Sequence, residues 1–200
     1  MFTGIVEDTG VVSFVRPGGD TVIGIRPLSA GSELFKPGDS VSVSGICLTV
    51  VSTEDGGFTT QMSSETVSRT TMADVAEGKV VNLERSVTPE GLMGGHIVTG
   101  HIDGVGRVES TGKRGDSVEF RFSLPGGFMK YVAPKGCIAI DGVSLTVNEA
   151  TGVDFSVNVI PYTLSHTTFA SLSAGDGVNF ECDIIAKYVE RLGDFGVKQS

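Results

Sequence analysis

Two histidines stand five residues apart in the line Gly94-Gly95-His96-Ile97-Val98-Thr99-Gly100-His101-Ile102-Asp103, and the chain has only three in all. Imidazole is the side chain best matched to proton transfer near neutral pH. As zinc ligands the two are poorly placed. They form no His-Glu-x-x-His arrangement, and His166 lies far along the chain with no carboxylate cluster around it. No metal is therefore expected. A serine nucleophile elbow before a helix is missing, and the glycine-rich line follows a linker and enters a strand-like run, which is the wrong context for a dinucleotide fingerprint. The residue types leave two readings open, a proton carrier or a ring bonded to a backbone carbonyl at a turn.

A second chemical signal is a phrase written twice. Gly45-Ile46-Cys47-Leu48-Thr49-Val50 reappears as Gly142-Val143-Ser144-Leu145-Thr146-Val147, 97 positions on, with a thiol exchanged for a hydroxyl. The spacing persists well beyond the phrase. Phe58 answers Phe155, Thr66 answers Thr163, Thr70-Thr71 answers Thr167-Thr168, and Glu77 to Glu84 answers Ala174 to Glu181. Thr3-Gly4 and Gly10 answer Thr99-Gly100 and Gly106 at 96 positions, a slip of one that a single loop insertion produces. The chain is an internal duplication.

Composition bounds the partners. Of 200 residues 40% are hydrophobic, enough for packed cores, and the 28 glycines follow no triplet rule. Net charge of −9 and a pI near 4.7 argue against nucleic acid. No run approaches the roughly 20 apolar residues that span a bilayer. The first residues carry neither a basic region nor a long apolar stretch, so a cytoplasmic protein without a leader is expected. Cys47, Cys137 and Cys182 form no Cys-x-x-Cys pair and read as isolated reduced thiols.

The elements that must position these residues are short strands. Gly10 to Val15, Thr21 to Arg26, Ser40 to Ser44, Leu48 to Thr53, Gly57 to Met62 and Lys79 to Arg85 are rich in Val, Ile, Thr and Phe. Six strands in under a hundred residues predict a small antiparallel barrel or sandwich, once per copy. Ser64 to Ala76 offers Ser and Thr caps for a short helix. Ser86 to Gly95 reads as a linker, and Ile184, Ile185, Tyr188, Val189 and Leu192 fall at helical spacing in the tail.

The opening Met1 to Glu7, the two Leu-Thr-Val phrases, the line from Gly94 to Asp103, and Glu65 to Thr71 matched by Tyr162 to Thr168 together closely resemble the riboflavin synthase family, nearly end to end. The resemblance implies an all-β chain of two tandem six-stranded Greek-key barrels and a C-terminal helix. The boundaries expected are 1–96 for the first barrel (linker 86–95 included), 97–183 for the second, and 184–196 for the helix. It implies that each barrel binds one 6,7-dimethyl-8-ribityllumazine and that two such molecules dismutate to riboflavin and 5-amino-6-ribitylaminouracil. No metal or organic cofactor is implied. Three chains would associate through their C-terminal helices, and association with a lumazine synthase stays open.

The same resemblance implies the site residues. The first pocket would use Gly4, Ile5, Val6, Cys47, Leu48, Thr49, Gln61, Met62, Ser63, Ser64, Glu65 and Thr66. The second would use Gly100, His101, Ile102, Lys135, Ser144, Leu145, Thr146, Ile160, Pro161, Tyr162, Thr163, Leu164 and Ser165. Phe2, Thr3, Ser40, Cys47, His101, Ser144 and Asp183 are expected nearest the reacting atoms, with His101 the natural proton carrier and His96 shaping the junction. Where the copies differ, at Cys47 and Ser144, Ile5 and His101, Ser64 and Pro161, and Glu65 and Tyr162, donor and acceptor roles would diverge. A ligand-holding antenna with the same barrels and no turnover is the alternative. A structural barrel adaptor is the blander one.

Overall fold

The computed structural model describes residues 1–29, 35–54 and 56–197, and side chains up to residue 193. The first copy contains β1 (Asp8–Arg16), β2 (Thr21–Pro27), β3 (Ser40–Val43), β4 (Ile46–Glu54), β5 (Gly57–Met62) and β6 (Val80–Arg85). The second contains β7 (Gly104–Arg114), β8 (Ser117–Ser123), β9 (Cys137–Ile140), β10 (Val143–Ala150), β11 (Asp154–Val159) and β12 (Gly177–Cys182). Round the first closed barrel the order is β1-β2-β5-β4-β3-β6, and round the second β7-β8-β11-β10-β9-β12. The topology is the same, and all ladders are antiparallel. Bulges fall at matching places, Val12/Phe14 and Val50/Ser52 in one, Val108/Ser110 and Val147/Glu149 in the other. Such irregularities bend the strands and let a small sheet close on itself.

Strand alternation decides what each barrel keeps inside. Leu48 and Val50 of β4 and Leu145 and Val147 of β10 are buried, while Cys47, Thr49, Ser144 and Thr146 face outward. After β5 comes α1 (Ser64–Arg69), capped by Ser63, and then a separate 3₁₀ turn at Thr71–Asp74. The helix expected over Ser64 to Ala76 is thus broken, because the Thr70 side chain folds back onto the Thr66 carbonyl and then caps the turn. The second copy repeats this with α2 (Pro161–His166) and a turn at Thr168–Ser171. The tail forms α3 (Ile184–Val197), capped by Asp183, whose carboxylate accepts the Ile185 N–H at 2.9 Å. Lys187 of α3 pairs with Asp103, which fixes the helix to the second barrel. Its apolar stripe stays bare, with Ile185 58%, Tyr188 64%, Val189 66% and Leu192 70% exposed.

The barrels meet across an approximate two-fold. The two-residue turns Ser44-Gly45 and Asp141-Gly142 have left-handed φ at all four positions and lie back to back. A Cβ on Gly45 would lie 2.8 Å from the Gly142 nitrogen, and one on Gly142 the same distance from the Gly45 nitrogen. That accounts for the glycine that opens each copy of the repeated phrase. Two buried asparagines stitch the turns together. Asn82 donates to the Asp141 carbonyl and accepts the Thr168 N–H, and Asn179 donates to the Ser44 carbonyl and accepts the Thr71 N–H. Asp141 also accepts the Asn179 N–H, and burial pushes its carboxyl up to about 7. Lys79 lies near it and is held below its usual value by burial too, so desolvation outweighs attraction on both sides.

Asn82→Ala strands two backbone groups at this junction and is expected to cost about 1–3 kcal/mol for each. Asn158→Ala, exposed on β11, is the control in urea unfolding. A second outcome concerns pH. The raised Asp141 pKa means that the native state keeps a proton the unfolded chain loses above about pH 4, so stability declines from there to about pH 7. Asp141→Asn should match the parent at pH 4 and exceed it at pH 8, by on the order of a few kcal/mol.

Candidate functional site

The Thr-Gly pair that opens each copy is held by a buried carboxylate of its own barrel. Glu84 on β6 accepts the Thr3 N–H at 2.7 Å, the Thr3 hydroxyl at 2.8 Å and the Gly4 N–H at 3.0 Å. Glu181 on β12 does the same for Thr99 and Gly100, at 2.7, 2.7 and 2.9 Å. Burial raises the Glu84 pKa despite the three donors. Beyond the clamp each segment crosses to the other barrel. The Gly4 carbonyl accepts the Ser144 N–H at 2.8 Å, and the Gly100 carbonyl accepts the Cys47 N–H at 2.9 Å. Val6 packs on the core of the second barrel and Ile102 on that of the first.

The grouping expected from the sequence is therefore corrected. Gly4 and Val6 belong with Ser144 and its barrel, with Ile5 between them turned to a separate groove, whereas Gly100, His101 and Ile102 belong with Cys47. The first pocket is a cleft of ≈290 Å³ lined by Ile46, Cys47, Glu65, Thr66, Arg69, Thr70, Gly100, His101 and Ile102. It sits between the outward face of β4, the helix α1 and the crossing segment. The internal symmetry sets Ser144, α2 and Gly4 to Val6 in the equivalent arrangement. Here Tyr162 stacks on His166 with centroids 4.0 Å apart, and Thr163 stands at the position that Thr66 holds in the first copy.

The other expected residues divide by exposure. Thr49, Gln61, Ser63, Ser64, Thr146, Ile160, Pro161 and Ser165 are exposed and lie outside the lining of the cleft at Cys47, and Leu164 packs against the second core. Leu48, Met62 and Leu145 turn their side chains into the barrels, so only their backbones can meet a ligand. Phe2 is fully buried and pairs with Val98, where it backs Cys47 rather than facing a ligand. Thr3 and Ser40 line a separate groove of ≈630 Å³ beneath the Ser86 to Gly94 stretch, with Ile5, Glu7, Arg85 and Leu92.

Lys135 carries a backbone signal that the sequence conceals. It is exposed and sits at φ 67°, where the first copy has Gly38 at φ 95°. A lysine in the left-handed region in place of glycine is a strained choice. Ile46, Arg69 and Thr70 line the first cleft without having been expected there, and Arg69 reaches it only because a crossing segment stands opposite α1. His96, expected only to shape the junction, lies with Nδ1 2.7 Å from Ser144 Oγ. Among the described residues no group of three or more His, Cys, Asp or Glu is arranged to hold a metal ion. No helix there is long and apolar enough to cross a membrane.

Two like barrels, each with its outward face crossed by a segment from the other copy, define a duplicated barrel. Comparison with known proteins identifies the kind. The lumazine binding domain family matches twice, over residues 3–86 and 99–183. The riboflavin synthase of Photobacterium phosphoreum is 39% identical over 193 residues, covering 96% of this chain and 88% of that one. That of Bacillus subtilis (strain 168) is 37% identical over 192 residues, covering 96% and 89%. The crystal structure of LumP complexed with riboflavin superposes with a TM-score of 0.81 at 28% identity, covering 91% of this chain and 99% of that one. The chain belongs to the riboflavin synthase family, enzymes of the transferase class built from two lumazine binding domains.

The crossing glycines supply a test of the exchange. A Cβ on Gly4 would lie 2.5 Å from the Ser144 Cβ, and one on Gly100 2.5 Å from the Cys47 Cβ, both at left-handed φ. Gly4→Ala and Gly100→Ala should each lose at least about 1–2 kcal/mol in calorimetric unfolding. Gly112→Ala on β7, which meets nothing, should stay within about 0.5 kcal/mol of the parent.

Proposed function

We propose that this protein is a riboflavin synthase, dismutating two 6,7-dimethyl-8-ribityllumazine molecules to riboflavin and 5-amino-6-(D-ribitylamino)uracil. The observation that supports the reading is the pair of like barrels whose outward residues differ at the matching place, Cys47 in one and Ser144 in the other. A reaction between two identical molecules in opposite roles needs such a pair. The lumazine C7 methyl is acidic because its carbanion delocalises into the ring, so a modest base suffices. Holding two rings in register can supply roughly 7–11 kcal/mol in the best intramolecular cases.

In this reading the outward threonines, Thr49 with Thr66 and Thr146 with Thr163, and the backbone of the crossing segments bind the pyrimidine edge and ribityl hydroxyls. Lys135 and His101 approach the rings. Ser40, Thr3 and Asp183 lie farther back, the first two in the groove under the linker and Asp183 at the cap of α3. Three chains assemble through the exposed stripe of α3, and the first pocket of one chain faces the second pocket of its neighbour in a heterologous ring. The second reading is a lumazine- or flavin-holding protein without turnover, favoured by the likeness to LumP complexes with riboflavin and flavin mononucleotide. It requires only one working pocket, whereas both copies here keep their threonines and Thr-Gly openings.

Incubation with the lumazine should give riboflavin absorbance; a tightly held fluorescent ligand with no turnover favours the second reading. Cys47→Ala and Ser144→Ala chains, each weak alone, should regain about a quarter of parental activity when unfolded and refolded together. Activity that never exceeds the mean of the two mutants would place each reaction within one chain. A chain ending at Asp183 should sediment as a monomer with both barrels folded, and a trimer would rule out α3 as the contact.

A further inference from the structure

The first cleft holds a guanidinium that the function proposed above leaves unused. Arg69 lines it from α1, with Glu65 and with Thr66, which stands three residues back on the same helix face. Among the described residues its ionic partner is Glu65, Nε to Oε1 3.4 Å, longer than the about 2.7–2.9 Å of a charge-assisted hydrogen bond. The two side chains are 65% and 78% exposed, so the pair is weakly held and opens easily. Glu65 is also the one carboxylate among the described residues that line the cleft. The matching place in the second copy is closed to this chemistry. His166 stands there, stacked on Tyr162, with Nδ1 2.8 Å from the Tyr162 carbonyl oxygen and 2.9 Å from Ser165 Oγ. An imidazole so engaged offers no planar fork of donors. The crossing residue there is Ile5, apolar and turned to the separate groove, where the first cleft has His101.

We infer that the first cleft is a site for phosphate esters of the ribityl chain, flavin mononucleotide being the type, and that Arg69 is the residue that selects them. The inference rests on the ligand class in the function proposed above and adds a regulator to it. With the ring system beside Cys47 and His101 and the ribityl hydroxyls along Thr66, the chain ends near Arg69, one helical turn on. There the 5′-phosphate accepts two guanidinium N–H donors, and Glu65 turns out to solvent. No covalent bond is made or broken. A phosphorylated flavin held in this way keeps one of the two pockets from the lumazine. Riboflavin, once phosphorylated, thus restrains its own formation, while the second pocket gains nothing from the phosphate.

The test uses the full-length chain and the quenching of flavin fluorescence. Flavin mononucleotide should bind the parent about tenfold more tightly than riboflavin, the gain expected of a hydrogen bond to a charged group. In Arg69→Gln the two affinities should come within about twofold of each other, whatever their common level. Glu65→Gln removes the competing carboxylate and should widen the preference by at least about twofold, which a misfolded chain could not do. Riboflavin with added inorganic phosphate should bind as riboflavin alone does. The phosphorus NMR line of the bound mononucleotide should move in Arg69→Gln. In turnover the mononucleotide should compete with the lumazine about tenfold more strongly than riboflavin does, and lose that margin in Arg69→Gln. A mononucleotide no tighter than riboflavin, a preference that survives Arg69→Gln, or a gain that inorganic phosphate reproduces overturns the site and leaves the dismutase reading in place. A parent that shows the preference yet turns over no lumazine upholds the site and overturns the dismutase reading.

Discussion

Everything near the two pockets hangs on two buried carboxylates. Glu84 and Glu181 each gather three donors from a Thr-Gly pair, and that fixes where the following three residues go. A buried carboxylate left without its donors would cost several kcal/mol, so the clamp is close to obligatory in the folded chain. From the clamp the glycine carbonyl reaches the opposite barrel and meets the N–H of Cys47 or Ser144. Cys47 and Ser144 are thus each oriented by the segment that opens the other copy. Cross-barrel asparagines and the facing turns then set the distance between barrels to within a side chain's width.

The architecture was largely legible because duplication repeats its own punctuation. The strand reading for the first copy agrees with the ladders to within a few residues at each end, and Gly57 to Met62 coincides with β5. The tail helix was written in its 3.6-residue spacing and begins at Ile184. The exchange of opening segments could not be read. A repeat shows which residues correspond, and the same correspondence fits a segment that stays with its own copy or crosses to the other. Periodicity shows that Leu48 and Met62 alternate with outward neighbours, yet a run of expected contact residues hides which of them face inward. The His96–Ser144 contact spans 48 residues between two different copies, and no local pattern announces it. Lys135 resembles an ordinary surface lysine until its φ is known.

The structure also shows how little must change to make two like pockets unlike. The barrels share topology, bulge positions, helical turns and clamp. The differences sit at the outward positions of β4 and β10, on α1 and α2, and in the crossing segments. Glu65 and Arg69 give the first pocket a charged wall, where Tyr162 and His166 give the second a stacked aromatic one. The scaffold conserves position, and substitution on its surface supplies the chemistry.

The crossing of segments orders events during synthesis. The first barrel has all its strands once Arg85 has been made, but the residues that close its cleft, Gly100 to Ile102, come later and are anchored by Glu181, near the end of the second barrel. The first cleft therefore stays unfinished until almost the whole sequence has left the ribosome. Neither pocket can take up ligand in its final form before the other barrel exists, and the two become competent together.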